Sequence, residues 1–97
     1  MASKDYVLPE QLAYGNAGEE RERLSRWVEQ QVSADIRLSL ASVSWCDTAG
    51  LALLIEAHRI CRKNGKTLQF LAIPEQIALL SRFCGVESLL RGNVQEQ

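Results

Sequence analysis

The stretch Ile36-Arg37-Leu38-Ser39-Leu40-Ala41-Ser42-Val43-Ser44-Trp45-Cys46-Asp47-Thr48-Ala49-Gly50-Leu51 decides the fold. Ile36, Leu38 and Leu40 alternate with Arg37 and Ser39, the pattern of a strand with one buried face. The pattern predicts a sheet with one well-covered face and one thinner one. Val43 and Trp45 continue the apolar positions in shifted phase, which predicts a break or bulge near Ser42. Asp47 and Thr48 are N-cap types, because a side-chain oxygen can accept one of the free N–H groups of a first helical turn. With Asp47 as cap, Cys46 and Leu51 fill the two positions of a hydrophobic staple. A strand running straight into a capped helix is the opening of an α/β unit.

Downstream, the helix is predicted to run to about Lys63, where Asn64-Gly65 is a stop signal and Arg59, Arg62 and Lys63 suit the negative end of the dipole. Thr67–Ile73 reads as the next strand, with Leu68, Phe70 and Ala72 on one face. Pro74 fits the first position of a third helix with a stripe of Ile77, Leu80 and Cys84, ended by Gly85. Val86–Leu90 is a short apolar segment with room for a helical turn, and 92–97 reads as a frayed tail.

Upstream, Glu19–Val32 reads as the first helix. Leu24, Trp27, Val28 and Val32 form its apolar stripe, and a dense run of charges forms a solvated face. Tyr6–Tyr14 is a weak strand region interrupted by Pro9, and Asn16 is placed to cap the helix that follows. Helices that separate successive strands imply parallel pairing through right-handed crossovers. The predicted fold class is α/β: one domain, a small mostly parallel or mixed sheet packed with three to four helices.

The 97 residues fit one domain on the usual scale of about 100–200 residues. Composition is that of a globular chain, 46% hydrophobic and 24% charged, not that of a disordered one. Eleven basic residues against twelve acidic give a net charge of −1, without the basic excess of a dedicated nucleic-acid binder. Met1–Asp5 lacks the apolar region of a secretory signal. The longest apolar stretch, Ala49–Ile55, is far short of the ~20 residues of a bilayer span. A cytoplasmic location is therefore expected.

Catalytic chemistry finds little footing. Cys46, Cys61 and Cys84 form no Cys-x-x-Cys pair and read as small buried hydrophobes. His58, the one histidine, lies on the apolar flank of the second helix and reads as a packing residue. No metal-ligand cluster and no phosphate loop is present, since Asn64-Gly65-Lys66 follows a helix instead of preceding one. No cofactor or metal is expected, and the chain is not expected to be an enzyme.

What remains is Asp47-Thr48-Ala49-Gly50 at a helix N-terminus, where free N–H groups and the dipole favour anions. A phosphate on Thr48 would add about −1.5 to −2 in charge and change any docking surface. Gly50, without a side chain, would let a partner backbone approach closely. The apolar residues of the second helix spread over more than half its circumference. Leu53 and Ile60 either pack on a neighbouring helix or form a partner surface.

These residues resemble the STAS family, the sulphate transporter and anti-sigma factor antagonist domains. The resemblance runs from Ile36 through Asp47, Thr48 and Gly50, the family's Asp, Ser or Thr, any residue, Gly at a strand-to-helix turn. It continues through Asn64-Gly65-Lys66 to Gly85-Val86 and Leu89-Leu90. It is well supported over 35–91 and poorly over the first third, within a single domain taken as 1–97. The family usually opens with two strands, and residues 1–15 have room for little more than one. Ala49 stands where close relatives have Gly, and the first helix carries more charge than expected. Within the family the chain looks most like the MlaB-like branch. That likeness implies a non-enzymatic subunit that binds and regulates an MlaF-like ATPase of a phospholipid-transporting ABC complex. Such a subunit maintains outer-membrane lipid asymmetry and is peripheral to the inner membrane through that complex. The alternative implied by the family is an anti-sigma factor antagonist, switched when an anti-sigma factor kinase phosphorylates Thr48. Either way the resemblance makes Thr48 the partner-binding residue and candidate phosphoacceptor, with Asp47, Ala49, Gly50 and Leu53 around it.

Overall fold

The computed structural model describes residues 5–91. Five strands and four helices follow one another as β1 (Tyr6–Val7), β2 (Gln11–Leu12), α1 (Ala17–Gln30), β3 (Asp35–Ser39), β4 (Trp45–Cys46), α2 (Thr48–Lys63), β5 (Thr67–Leu71), α3 (Glu75–Phe83) and α4 (Glu87–Arg91). One sheet has the order β1-β3-β5, and a second pairs β2 with β4. Every pairing is parallel: Tyr6 opposes Leu38, Ile36 opposes Leu68 and Gln11 opposes Trp45.

The two sheets are one surface with a step in it. The partner of Tyr6 lies 32 residues ahead and that of Gln11 lies 34 ahead, so the β3–β4 side carries two extra residues. They are taken up in the turn at Ala41-Ser42, the break expected near Ser42. On the opposite side the step falls at Pro9, which has no N–H to give a ladder. Around the step, Leu8 N–H donates to Ser39 O (3.0 Å) and Ser44 N–H to Glu10 O (2.8 Å). Both opening strands therefore exist, at two residues each. The expected single broken strand is two strands serving two partners.

Alternation in β3 and β5 puts Ile36, Leu38, Leu68 and Phe70 inward, while Asp35, Arg37, Thr67 and Gln69 face out. Among the described residues the outer face is polar and exposed, crossed by surface contacts such as Arg37–Asp5 (3.1 Å) and Thr67 Oγ1–Asp35 (2.8 Å). α1 and α2 lie side by side over the inner face, and the shortest dimension of the molecule, 21 Å, is that of two layers. Leu24 and Val28 of α1, and Leu51, Leu54, Ala57 and Cys61 of α2, are buried against it. Each fully buried Leu or Ile of this core contributes roughly 1.5–3 kcal/mol.

Several expectations shift. α1 stops at Gln30, and Val32, expected on its stripe, is 99% exposed. The chain is pinned there instead by Lys66, whose ammonium donates to Gln31 O (2.7 Å) and Ser33 O (2.8 Å). β5 ends at Leu71, and Ala72 turns into the left-handed region (φ 57°) instead of continuing the inner face. Pro74 is the residue before α3, not its first. Ser81, not Cys84, completes the inner side of α3 beside Ile77, because the helix ends at Phe83 and leaves Cys84 exposed. Asn16 precedes α1 but does not cap it. Its side chain is turned onto the preceding loop, accepting from Ala13 N–H (2.9 Å) and donating to Gln11 O (2.6 Å). The expected tail at 92–97 lies outside the described residues.

The charged face of α1 has one inward member. Glu20 lies one turn before Leu24 and Val28 on the buried stripe, and is 3% exposed. Tyr6 Oη donates to it at 2.6 Å and Arg23 pairs with it at 2.9 Å. Burial, then the Glu20 hydrogen bond, pushes the Tyr6 phenol well above its ordinary range. Tyr6→Phe strips a buried carboxylate oxygen of its donor and is expected to cost about 1–3 kcal/mol in urea unfolding. Adding Glu20→Leu should recover most of it, since removing both partners leaves nothing unsatisfied. A double variant as unstable as the single would refute this.

Candidate functional site

The site is the junction of β4 with α2. Asp47 is extended (φ −104°, ψ −171°), which turns its carboxylate back over the first helical turn. Its Oδ1 accepts from Gly50 N–H at 3.0 Å, and its Oδ2 accepts from Tyr14 N–H at 3.2 Å. One carboxylate thus caps α2 and ties down the loop after β2. The main chain adds Asp47 N–H to Leu12 O (3.1 Å) and Leu51 N–H to Asp47 O (2.9 Å). Cys46 and Leu51, at the two staple positions, are both buried.

The Gly50 hydrogen bond is the main reason the Asp47 carboxyl is held below the usual carboxylate range; partial burial opposes it, and the Tyr14 bond assists. A carboxyl with a lower pKa folded than unfolded stabilises the fold above its unfolded pKa, about 3.9. That contribution is lost as pH falls through the folded value. Asp47→Asn is therefore expected to lower the melting temperature near neutral pH and to flatten part of the acid limb below about pH 4. Melts of the two proteins across that range check it; parallel limbs would refute it.

Thr48, the first residue of α2, is exposed, with Asp47 and Ala49 half-exposed beside it. Gly50 and Leu53, expected on the partner side, are buried and face inward. At Gly50 a Cβ would lie 2.1 Å from Leu12 O and 2.7 Å from Leu12 Cβ. The backbone that approaches this glycine is the chain's own β2. Leu53 (3% exposed) and Ile60 (6%) are covered by α1, which settles the excess apolar arc of α2 as helix–helix packing. Of the expected site residues, Ala49 and Leu53 contribute to a second groove, between α1 and α2, with Ala17, Arg21, Ala52 and Glu56.

A larger open groove lies on the other side of Thr48, between β4 and α3. Trp45, Thr48, Leu79, Leu80, Arg82 and Phe83 contribute to it. Trp45 (51% exposed), Leu79 (50%) and Phe83 (88%) present large apolar surface to solvent within it. These three residues were not expected at the site. The signal was present in α3: Leu79 and Phe83 are an i, i+4 pair on a different face from Ile77 and Ser81.

Burial, then the Asp47 charge, pushes the Cys46 thiol up to about 11. Burial pushes Cys61 up to about 11 as well, so both are poor thiolates at neutral pH. His58 is hydrogen-bonded through Nε2 to Leu89 O and stands edge-on to Phe70 (5.6 Å), fastening α4 to the core. Among the described residues no three His, Cys, Asp or Glu side chains converge as a metal site, and no helix is long and apolar enough to cross a membrane.

Comparison with known proteins fits this geometry. Anti-sigma-B factor antagonists of Staphylococcus epidermidis are 30% identical over 66 residues, 68% of this chain and 61% of theirs. That of Staphylococcus aureus strain NCTC 8325 / PS 47 is 29% identical over the same length. The chain thus spans about three fifths of the length of these relatives. The solved structure of the anti-sigma factor antagonist SpoIIAA in its unphosphorylated form shares the fold. The TM-score is 0.69 at 16% identity, over 91% of this chain and 79% of that one. The expected likeness to the MlaB-like branch draws no support from these relatives. The STAS domain model matches residues 5–96, and the chain belongs to the STAS domain family.

Proposed function

We propose that the chain is an anti-sigma factor antagonist: a non-enzymatic docking module that binds an anti-sigma factor kinase and is released by phosphorylation of Thr48. The observation that carries this reading is the exposed Thr48 at the head of α2, bordered by the apolar groove of Trp45, Leu79 and Phe83. Likeness to the anti-sigma-B factor antagonists supports it. The unmodified site offers a small polar centre and an apolar flank, a surface that docks by shape and area. Asp47 and Ala49 complete its rim, while Gly50 and Leu53 hold it from beneath. A phosphate on Thr48 would bring about −1.5 to −2 in charge into a contact that must desolvate, beside the Asp47 carboxylate. The reading places the chain in the cytoplasm with its partner.

The test has two arms. Mass spectrometry of the chain from its own cells should find phosphate on Thr48. Phosphorylated chain should bind the anti-sigma factor kinase at least about 100-fold more weakly than unmodified chain, roughly 2.7 kcal/mol. Unmodified Thr48 together with stoichiometric copurification of an ABC-transporter ATPase would overturn it in favour of the transporter subunit. Equal affinity of the two forms would also overturn it.

A further inference from the structure

Two amides at the head of α2, those of Gly50 and Leu51, are engaged before any phosphate arrives. Asp47 holds Gly50 N–H and Tyr14 N–H through its two carboxylate oxygens, and Leu51 N–H is bound to Asp47 O. A phosphate on Thr48 would stand beside the Asp47 carboxylate, so its charge calls for a counter-ion. Among the described residues, the one basic side chain that lines the groove Thr48 shares with α3 is Arg82. Arg82 is loosely held: its Nε is 3.7 Å from Glu87 Oε2 and its side chain is 65% exposed.

We infer that Arg82 is the counter-ion of a phosphate on Thr48, and that the pairing draws its guanidinium across the apolar floor of the groove. The inference rests on the reading of Thr48 as phosphoacceptor. In the modification itself, the bond from the γ-phosphorus of a kinase-bound nucleoside triphosphate to its diphosphate breaks. A bond to Thr48 Oγ1 forms, and the hydroxyl proton is lost. The product is a near-dianion with three acceptor oxygens, which a planar guanidinium matches in two-pronged fashion. It competes for Arg82 with the singly charged Glu87, over apolar walls that weaken screening. Among the described residues, the charged groups facing the phosphate are then Asp47, which repels it, and Arg82, with Glu87 behind. One covalent event both charges the docking surface and covers the part built by Leu79 and Phe83. Arg82 is a positioning residue in this scheme.

The test uses full-length chain carrying phosphothreonine at position 48 by chemical ligation, so it runs whether or not cells phosphorylate the protein. The phosphorus resonance is titrated in the parent, Arg82→Gln, Arg82→Lys and Arg62→Gln chains. The second ionisation of a phosphate ester lies near about 6. Its midpoint is expected about half a pH unit or more higher in Arg82→Gln than in the parent. Arg82→Lys should fall between them, and Arg62→Gln, at the far end of α2 from Thr48, should match the parent. The Arg82 Nε–H resonance should move on phosphorylation. Arg82→Gln titrating with the parent, or shifting no more than Arg62→Gln, overturns the inference. Failure of the phosphoacceptor reading would show separately, as unmodified Thr48 in cells.

Discussion

Gly50→Ala is expected to destabilise the fold by about 3 kcal/mol or more, a large share of the roughly 5–15 kcal/mol that holds a small domain together. Helix propensity alone argues the other way, since alanine in a helix interior is favoured over glycine by about 1 kcal/mol. The sign of the effect therefore decides between them. The new methyl group would stand 2.1 Å from Leu12 O, a main-chain atom in a strand that no rotamer change can move. Relief requires β2 to back away from α2. That would strain the Asp47 N–H to Leu12 O bond and the Tyr14 N–H to Asp47 bond. Gly18 in α1 is the control, because a Cβ there meets nothing within 4 Å. Gly18→Ala should stabilise by about 0.5–1 kcal/mol. Urea unfolding of both variants followed by circular dichroism reads the contrast. Stabilisation by both substitutions would show that the β2–α2 contact is soft.

The double variant Leu79→Ser, Phe83→Ser is expected to abolish most docking while leaving the fold in place. Both side chains are well exposed and neither belongs to the buried core, so loss of stability should stay within about 1 kcal/mol, mostly helix propensity. At a protein interface, large apolar side chains in the centre of the patch carry affinities of about 2 kcal/mol or more each, a factor of about 30. Calorimetric titration with the anti-sigma factor kinase should therefore show a fall of at least about 100-fold. Unchanged affinity would confine the docking surface to the head of α2 and leave the α3 groove without a role.

Most of the scaffold was legible in the chain because its signals are local and agree with one another. β3 shows strict alternation, Asp47 and Asn64-Gly65 bracket α2, and Gly65 takes the left-handed conformation (φ 71°) that its position after the helix requires. The misreadings share a cause, which is that the deciding neighbour is distant in sequence. Nothing near Val32 announces that Lys66 will pin the chain at Gln31 and Ser33. Glu20 looks like one more surface acid until Tyr6, fourteen residues earlier, donates to it. Gly50 is expected to admit a partner's backbone, but the backbone beside it is that of Leu12 in the same chain. Trp45 and Phe83 carry no local signal of a surface role, because an exposed aromatic gains meaning only when a second element brings another beside it.

The all-parallel pairing has a consequence for how this molecule is made. Among the described residues no strand has a neighbour that a tight turn could reach, since registers join residues 32 to 34 positions apart. With no hairpin to nucleate from, loop-closure entropy must be met before any ladder forms, which slows folding for a chain of this size. On a ribosome, residues 6–12 emerge first and wait for residues 38–46 before they can pair. The donors that Tyr14 and Gly50 give to Asp47 cannot all be in place until that late docking is done. Thr48 is thus presented in its finished setting only by molecules that have completed the slowest step of their folding.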